Sequence, residues 1–231
     1  HLFPVLAGGE VGGFHDRHCR APVVSGQGVA GVAAGTGAKS AGTVKGVAPD
    51  ADLVGVRISS VAEAIKGIQW VIENKEKYNI SVLNMSLGDF ATKSHKDDPW
   101  SQAAQKAIDA GLVVVVAAGN EGPSNGSVTT PGTNPNVITV GALDDRKTLD
   151  RSDDTVAEFS SRGPTTIDGL IKPDLLAPGV SVFGPLAPGT TLDVPEVPHI
   201  GNDYFAISGT SMATPMVAGL AAILKQANPE L

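Results

Sequence analysis

Cys19 is the only cysteine of the 231-residue chain, so no intramolecular disulfide can form and no thiolate metal site can be assembled. A lone thiol does not identify a redox compartment. Long apolar runs are scarce as well: the longest, Leu112 to Ala118, is far below the ~20 residues that span a bilayer. The first residues lack the charged-then-apolar pattern of a secretory signal, so neither a membrane span nor a signal peptide is expected within the chain. Aromatic residues make up 4% of the sequence, which leaves Val, Ile, Leu and Ala to build the core, a set suited to a mostly parallel sheet. Basic clusters are missing too, and a formal net charge of -7 argues against nucleic acid as a partner, because phosphate neutralisation needs grouped Lys and Arg.

The composition that is present, 42% apolar with 28 glycines, suits one compact α/β domain over residues 1–231. Leu53–Ile58, Ser81–Leu87, Leu112–Ala118 and Val137–Val140 are short β-branched or apolar runs bounded by turn residues, which predicts buried strands. Val61–Asn74 sets Ile65, Ile68, Val71 and Ile72 on one side at helical spacing, and Trp100–Ala110 and the Ala-rich Met212–Asn228 also predict helices. Strands alternating with helices imply a three-layer fold, a mainly parallel sheet with helices on both faces. After Gly141 the texture loosens, and Asp144–Asp154 and Pro185–Pro198 are expected as surface loops. The acidic loop shows no regular calcium-ligand spacing.

Gly26-Gln27-Gly28-Val29-Ala30-Gly31 matches the G-x-G-x-x-G spacing of dinucleotide loops. Such a loop needs a strand directly before it and an acidic residue closing the next strand. Here Ala21-Pro22-Val23-Val24 is short and carries a proline, and Ser59 follows Ile58, so a small-residue helix start is the better expectation.

Two segments carry chemistry. In Ser208–Gly219, Gly209 permits a tight turn, Ser211 sits where a helix begins and Pro215 falls near the first turn. A serine there lies beside unpaired N–H groups and the positive end of the helix dipole, both favourable to an oxyanion; an ordinary N-cap is the plainer reading. In Val113–Pro123 a buried strand ends in Gly119-Asn120 and would project an amide N–H donor at the carboxyl edge of the sheet, where ligands collect. Asn120 as a simple turn residue is the alternative.

Taken together, GTSMATP (209–215), VVVVAAGNEGP (113–123), VLNMSLG (82–88), KGVAPDADLVGVRI (45–58), FSSRGP (159–164) and IKPDLLAPGV (171–180) resemble the subtilisin-like serine peptidases, from about Gly26 onward and in the family's order. The resemblance implies a seven-stranded, mainly parallel sheet between helices and a secreted enzyme that cleaves extended polypeptides through an acyl-enzyme. By it Ser211 is the nucleophile and Asn120 the oxyanion-hole donor. Ser86, Leu87 and Gly88 form an edge that pairs with substrate, and Ala117, Ala118 and Gly119 form a pocket wall. No cofactor is required for the chemistry, structural calcium has no ligand motif to support it, and a monomer is expected.

The pattern has departures. The family's histidine motif, H-G-T-H-V-A-G, is met by Ser25–Gly31, which puts Gly28 where the catalytic histidine belongs. The aspartate-bearing first strand and the family's C-terminal end are expected outside this chain, and the first residues resemble the loop after that strand. His15 and His18, which flank Asp16, and also His95 and His199, are expected as surface groups. Only Ser59-Ser60 stands for a Gly/Ser-rich substrate loop, and Met216 stands for a non-catalytic helix histidine. These departures raise a second reading, a peptide-binding protein that keeps the cleft without turnover.

Overall fold

The structure is a computed structural model that describes residues 2–7, 24–186 and 196–229. His15, Asp16, His18, Cys19 and Ala21 to Val23 lie outside the described residues. In chain order the elements are β1 (Leu2–Ala7), α1 (Val24–Ala34), β2 (Asp52–Arg57), α2 (Val61–Asn74), β3 (Ile80–Met85), α3 (Pro99–Asp109) and β4 (Val113–Ala117). They continue with β5 (Ile138–Asp144), β6 (Thr155–Val156), β7 (Leu175–Pro178), β8 (Val182–Pro185), β9 (His199–Ile200), β10 (Tyr204–Ile207) and α4 (Thr210–Ala227).

The helices start where their caps dictate. Ser60 caps α2 by accepting from the Glu63 N–H at 3.2 Å, while the Glu63 carboxylate turns back to the Ser59 N–H at 2.7 Å. Asp98 caps α3 through the Ser101 N–H at 2.8 Å, with Pro99 supplying the first helical residue.

The main sheet runs in the order β2-β1-β3-β4-β5-β6, and β7 also pairs with β5. Pairings β3–β4, β4–β5 and β5–β7 are parallel. A small antiparallel sheet, β8-β10-β9, lies beside it. Although β3 and β4 are almost continuously apolar, their residues sort by alternation. Leu83, Met85, Val114 and Val116 pack toward α2 and α3 with Ile68, Val71 and Ala104, whereas Val82 and Val115 pack toward α1 and α4 with Ala33, Ala213 and Ala218. This is the expected three-layer α/β fold.

Two expectations change, and the helix start expected over Gly26–Gly31 holds. The first residues form strand β1 and not a loop: Leu2–Ala7 is an apolar segment lying between β2 and β3, whose facing edges offer N–H and C=O groups to be paired. The Gly26–Gly31 spacing lies inside α1, and from Gly28 on its N–H groups serve the carbonyls of the preceding turn and are not open as a phosphate cradle. The region after Gly141 holds β6 to β10, strands of two to four residues punctuated by Pro and Gly, too short to leave a periodic signal. Of the loop foreseen at 185–198, residues 187–195 lie outside the described residues.

His95 is not a free surface group. Its N–H and Nδ1 meet one oxygen of Asp168 at 2.8 and 3.0 Å, joining the loop before α3 to the loop after Pro164, and its side chain is 18% exposed. His199 sits on β9 with its ring stacked over Phe205 at 6.5 Å.

Helices α1 and α4 approach closely, and a Cβ at Gly219 would stand 2.8 Å from Val47 Cβ and 3.0 Å from the Ala33 carbonyl oxygen. Gly219→Ala gains about 1 kcal/mol of helix propensity but overpacks rigid neighbours at about 1–3 kcal/mol, and a lowered urea midpoint is expected. Hydrogen bonds from the Ser94 hydroxyl and the His95 N–H hold the Asp168 carboxyl at about 2, below its ordinary 3.8. A depressed carboxylate stabilises the fold above the unfolded value, and that contribution disappears as pH falls from about 4 through about 2. Denaturant midpoints measured across this window should decline, and Asp168→Asn should flatten the decline, which is on the order of 1–2 kcal/mol after solvent screening.

Candidate active site

Because β3, β4, β5 and β7 run parallel, their carboxyl ends share one edge of the sheet, and α4 packs across all four. Strand β4 leaves the sheet through Ala118, Gly119 and Asn120. Gly119 has φ +105°, and a Cβ there would stand 2.8 Å from both Ser161 Oγ and Thr129 Cγ2, so only glycine fits. The turn is clamped from both sides. The Ala118 carbonyl accepts from the Thr129 N–H at 2.9 Å, the Gly119 carbonyl accepts from the Ser161 N–H at 3.0 Å, and the Ser161 hydroxyl accepts from the Glu121 N–H at 3.1 Å. Asn120 therefore stands exposed on a fixed backbone.

Ser211 is the second residue of α4, half-buried, just past Gly209. Gly209 is tied down by its N–H donating to the Gly179 carbonyl at 2.8 Å. Pro215 is not in the first turn as expected. The helix begins at Thr210, so Pro215 lies inside it and withholds the N–H that would serve the Ser211 carbonyl.

Thr210, which sequence reasoning missed, joins the two segments. Its N–H and hydroxyl both donate to Asn120 Oδ1, at 2.9 and 3.0 Å. A backbone N–H can only donate, so this pair fixes which end of the amide faces α4 and leaves Nδ2 as the outward donor. A Cβ built at Gly209 would lie 3.6 Å from Asn120 Nδ2 and 3.7 Å from Ser211 N, so two N–H donors border the space beside that bare glycine. Thr129 and Ser161 are the other missed positions. Ser161 stands in FSSRGP, but nothing in the sequence marks Thr129.

The Ser211 hydroxyl donates to the Ser86 carbonyl at 3.1 Å, bringing α4 against the segment that follows β3. Ser86 and Leu87 are half-buried and Gly88 is exposed. Beyond them Asp89 and Thr130 exchange backbone hydrogen bonds at 3.0 and 2.9 Å. Among the described residues Leu87 and Gly88 make no backbone hydrogen bond and stand open as an edge. Asn84 is fully buried and reaches Ser86 Oγ through Nδ2 at 3.1 Å, but its Oδ1 has no partner among the described residues. The structure thus collects Ser211, Asn120, Ser86 and Gly119 at one edge.

No imidazole among the described side chains reaches Ser211: His95 is held by Asp168 and His199 lies on Phe205. Gly28 is buried in α1, where a Cβ would stand 3.0 Å from Ile207 Cδ1 and 3.8 Å from Met212 Cε. Among the described residues no group of three His, Cys, Asp or Glu side chains could hold a metal. In the acidic loop Asp144, Asp145 and Asp154 pair with Arg146, Lys147 and Arg151.

A three-layer, mainly parallel sheet with a helix-start serine facing a strand-end asparagine across its carboxyl edge defines a subtilisin-like α/β protein. Comparison with known proteins gives the same class. Residues 26–231 match the Subtilase family. Serine protease AprX of Bacillus subtilis (strain 168) is 43% identical over 229 residues, covering 94% of this chain and 49% of its own length. Subtilisin E of the same strain is 37% identical over 195 residues, covering 80% and 42%. Among solved structures, the S41 psychrophilic protease superposes with a TM-score of 0.75 at 32% identity over 94% of this chain and 68% of that one. Sphericase gives 0.72 at 33% identity over 90% and 65%. The chain belongs to the Subtilase family, and it spans about half the length of these curated relatives.

Thr210→Val keeps the N–H but deletes the hydroxyl that holds Asn120 Oδ1. The expected cost is about 1 kcal/mol in denaturant unfolding, with the two Asn120 Nδ2–H signals in a ¹⁵N NMR spectrum moving toward averaging.

Proposed function

We propose that this chain is the serine-bearing part of a subtilisin-type serine endopeptidase, acting on extended polypeptides through an acyl-enzyme at Ser211. One observation carries the reading: the Ser211 N–H and Asn120 Nδ2 border a single space beside Gly209, next to the Ser211 hydroxyl. A carbonyl oxygen entering that space would find two fixed donors and the start of a helix, a setting that stabilises developing negative charge. Ser211 Oγ would bond to the carbonyl carbon, the scissile C–N bond would break, and the hydroxyl proton would pass by way of a base to the leaving amine. Ser86 to Gly88 would pair with the substrate as an added strand, and Ala117 to Gly119 would line the pocket for the residue before the cut. We place the protein outside the cell as a monomer, by family resemblance, with no cofactor in the chemistry.

The base is the part this chain does not supply at its expected place, since Gly28 has no side chain. Serine peptidases stripped of their triad keep about 10³- to 10⁴-fold acceleration over water from the oxyanion hole and binding alone, a magnitude known for subtilisin and carried over here. The absence of a side chain at Gly28 supports the second reading, a peptide-binding protein without efficient turnover. It is favoured by the Ser211 proton being directed at the Ser86 carbonyl, an acceptor that cannot remove it.

A fluorophosphonate probe tests the first reading. Labelling should fall on Ser211, vanish in Ser211→Ala and run at least ~10²-fold slower than in a relative with its base in place. Absence of label at Ser211 after long incubation overturns it, and retained binding of an extended peptide by that unlabelled protein then supports the second.

A further inference from the structure

The two segments proposed to flank the substrate, Ser86 to Gly88 and Ala117 to Gly119, are joined behind the cleft by Thr129 and Thr130. The Thr129 N–H donates to the Ala118 carbonyl at 2.9 Å, while Thr130 and Asp89 exchange backbone hydrogen bonds at 2.9 and 3.0 Å. Both threonines are buried, at 7% and 6% exposure. This stretch therefore closes the space between the walls from behind, and the side chain that Thr129 places there limits its depth.

Thr129 meets both walls at once. A Cβ built on Gly88 would stand 2.3 Å from Thr129 Oγ1 and 3.0 Å from Thr129 Cβ, and one built on Gly119 would stand 2.8 Å from Thr129 Cγ2 and 2.9 Å from Oγ1. One hydroxyl thus reaches the side-chain position of each wall, and the room left by the two bare glycines is the room that the threonine fills. It has no freedom to swing aside. Its branched Cβ restricts χ1, its N–H is held by the Ala118 carbonyl, and its hydroxyl donates to the same carbonyl at 3.2 Å. The next residue, Thr130, is fixed through its hydroxyl to Asp98 Oδ2, the carboxylate that caps α3.

We propose that Thr129 sets the size of the residue that the cleft accepts immediately before the cut. Glycine, alanine and serine enter, and branched, long aliphatic and aromatic side chains meet the threonine. The inference rests on the cleft reading given under the proposed function and names its substrate class, polypeptides with a small residue at that position. Selection works by exclusion. A small side chain stops short of Oγ1 and Cγ2, whereas a larger one has to displace a buried residue held by both its backbone and its hydroxyl.

Product-like peptides test this without requiring turnover, because each ends in a free carboxylate at the residue before the cut. Four short alanine-rich peptides that differ only in that last residue, Gly, Ala, Leu or Phe, are titrated against the full chain and followed by NMR. The Ala peptide should bind at least ~10-fold more tightly than the Phe peptide. Thr129→Gly should reverse that ratio. Thr129→Ser keeps the hydroxyl bond to Ala118 and loses only the methyl, so it should move the ratio part of the way with the fold intact. A residue that merely supports the fold would weaken all four peptides alike. Equal binding of the Ala and Phe peptides, or a ratio unmoved by both substitutions, overturns the role of Thr129 and leaves the cleft reading standing. Binding of none of the four overturns the cleft reading and the role of Thr129 with it.

Discussion

The close seating of α4 on the sheet is the constraint on which the rest depends. A helix can lie that near only with small residues at the contact, and Ala213, Ala218 and Ala221 supply them against Val82, Val115 and Val140. The seating carries the first turn of α4 over the carboxyl ends of β3 and β4. There Ser211 reaches the Ser86 carbonyl and Thr210 reaches Asn120. Moving the helix outward by the width of a methyl group would break these contacts together, because both are short and directional. The core and the candidate site are therefore one packing problem. The site's geometry comes from rigid elements, with loops only closing it.

The two halves of the site have separate physical origins. The donor half is built from the Ser211 backbone N–H near a helix start and the Asn120 side-chain amide, held by Thr210 on a turn that only glycine at position 119 allows. Nothing in it depends on the region before α1. By the family resemblance the acceptor half is expected at the amino end of α1, where Gly28 has no side chain and Ile207 and Met212 pack against its bare Cα. Such a closure is what a buried glycine permits, since the neighbours meet no Cβ and settle into the gap.

Much of this was legible in the sequence. The strands at 52–57, 80–85 and 113–117 and the helices at 61–74 and 99–109 lie within long, strongly periodic or β-branched segments, where burial and local propensity agree. Ser211 and Asn120 stood out for chemical reasons, the one at a helix start and the other at a strand end. What escaped was of two kinds. Short strands such as Thr155–Val156 and His199–Ile200 are defined by partners distant in sequence and leave no periodic trace. Positioning groups such as Thr129, Ser161 and Thr210 act through hydrogen bonds across as many as 90 positions, which spacing cannot reveal. Lys172 and Asp174 are a related case. They appeared only as part of a resembling motif, and their work is to hold the Val137 carbonyl and the Thr139 N–H in place beside the sheet.

β1 departs from the logic that makes the rest of the sheet readable. From β2 to β4 direction follows connection: a strand, a crossover helix and a parallel strand, each step forced by the one before. Leu2–Ala7 has no such step among the described residues, and it pairs antiparallel to both neighbours. This strand pairs with β2 along its whole length and with β3 in part, and the part without pairing is the end nearest Ser86, next to the buried Asn84 whose Oδ1 lacks a partner among the described residues. The same end of the sheet thus carries an interrupted ladder, an orphan acceptor and a serine whose proton has only a carbonyl to go to. All three shortfalls lie where β1, β3 and the amino end of α4 converge.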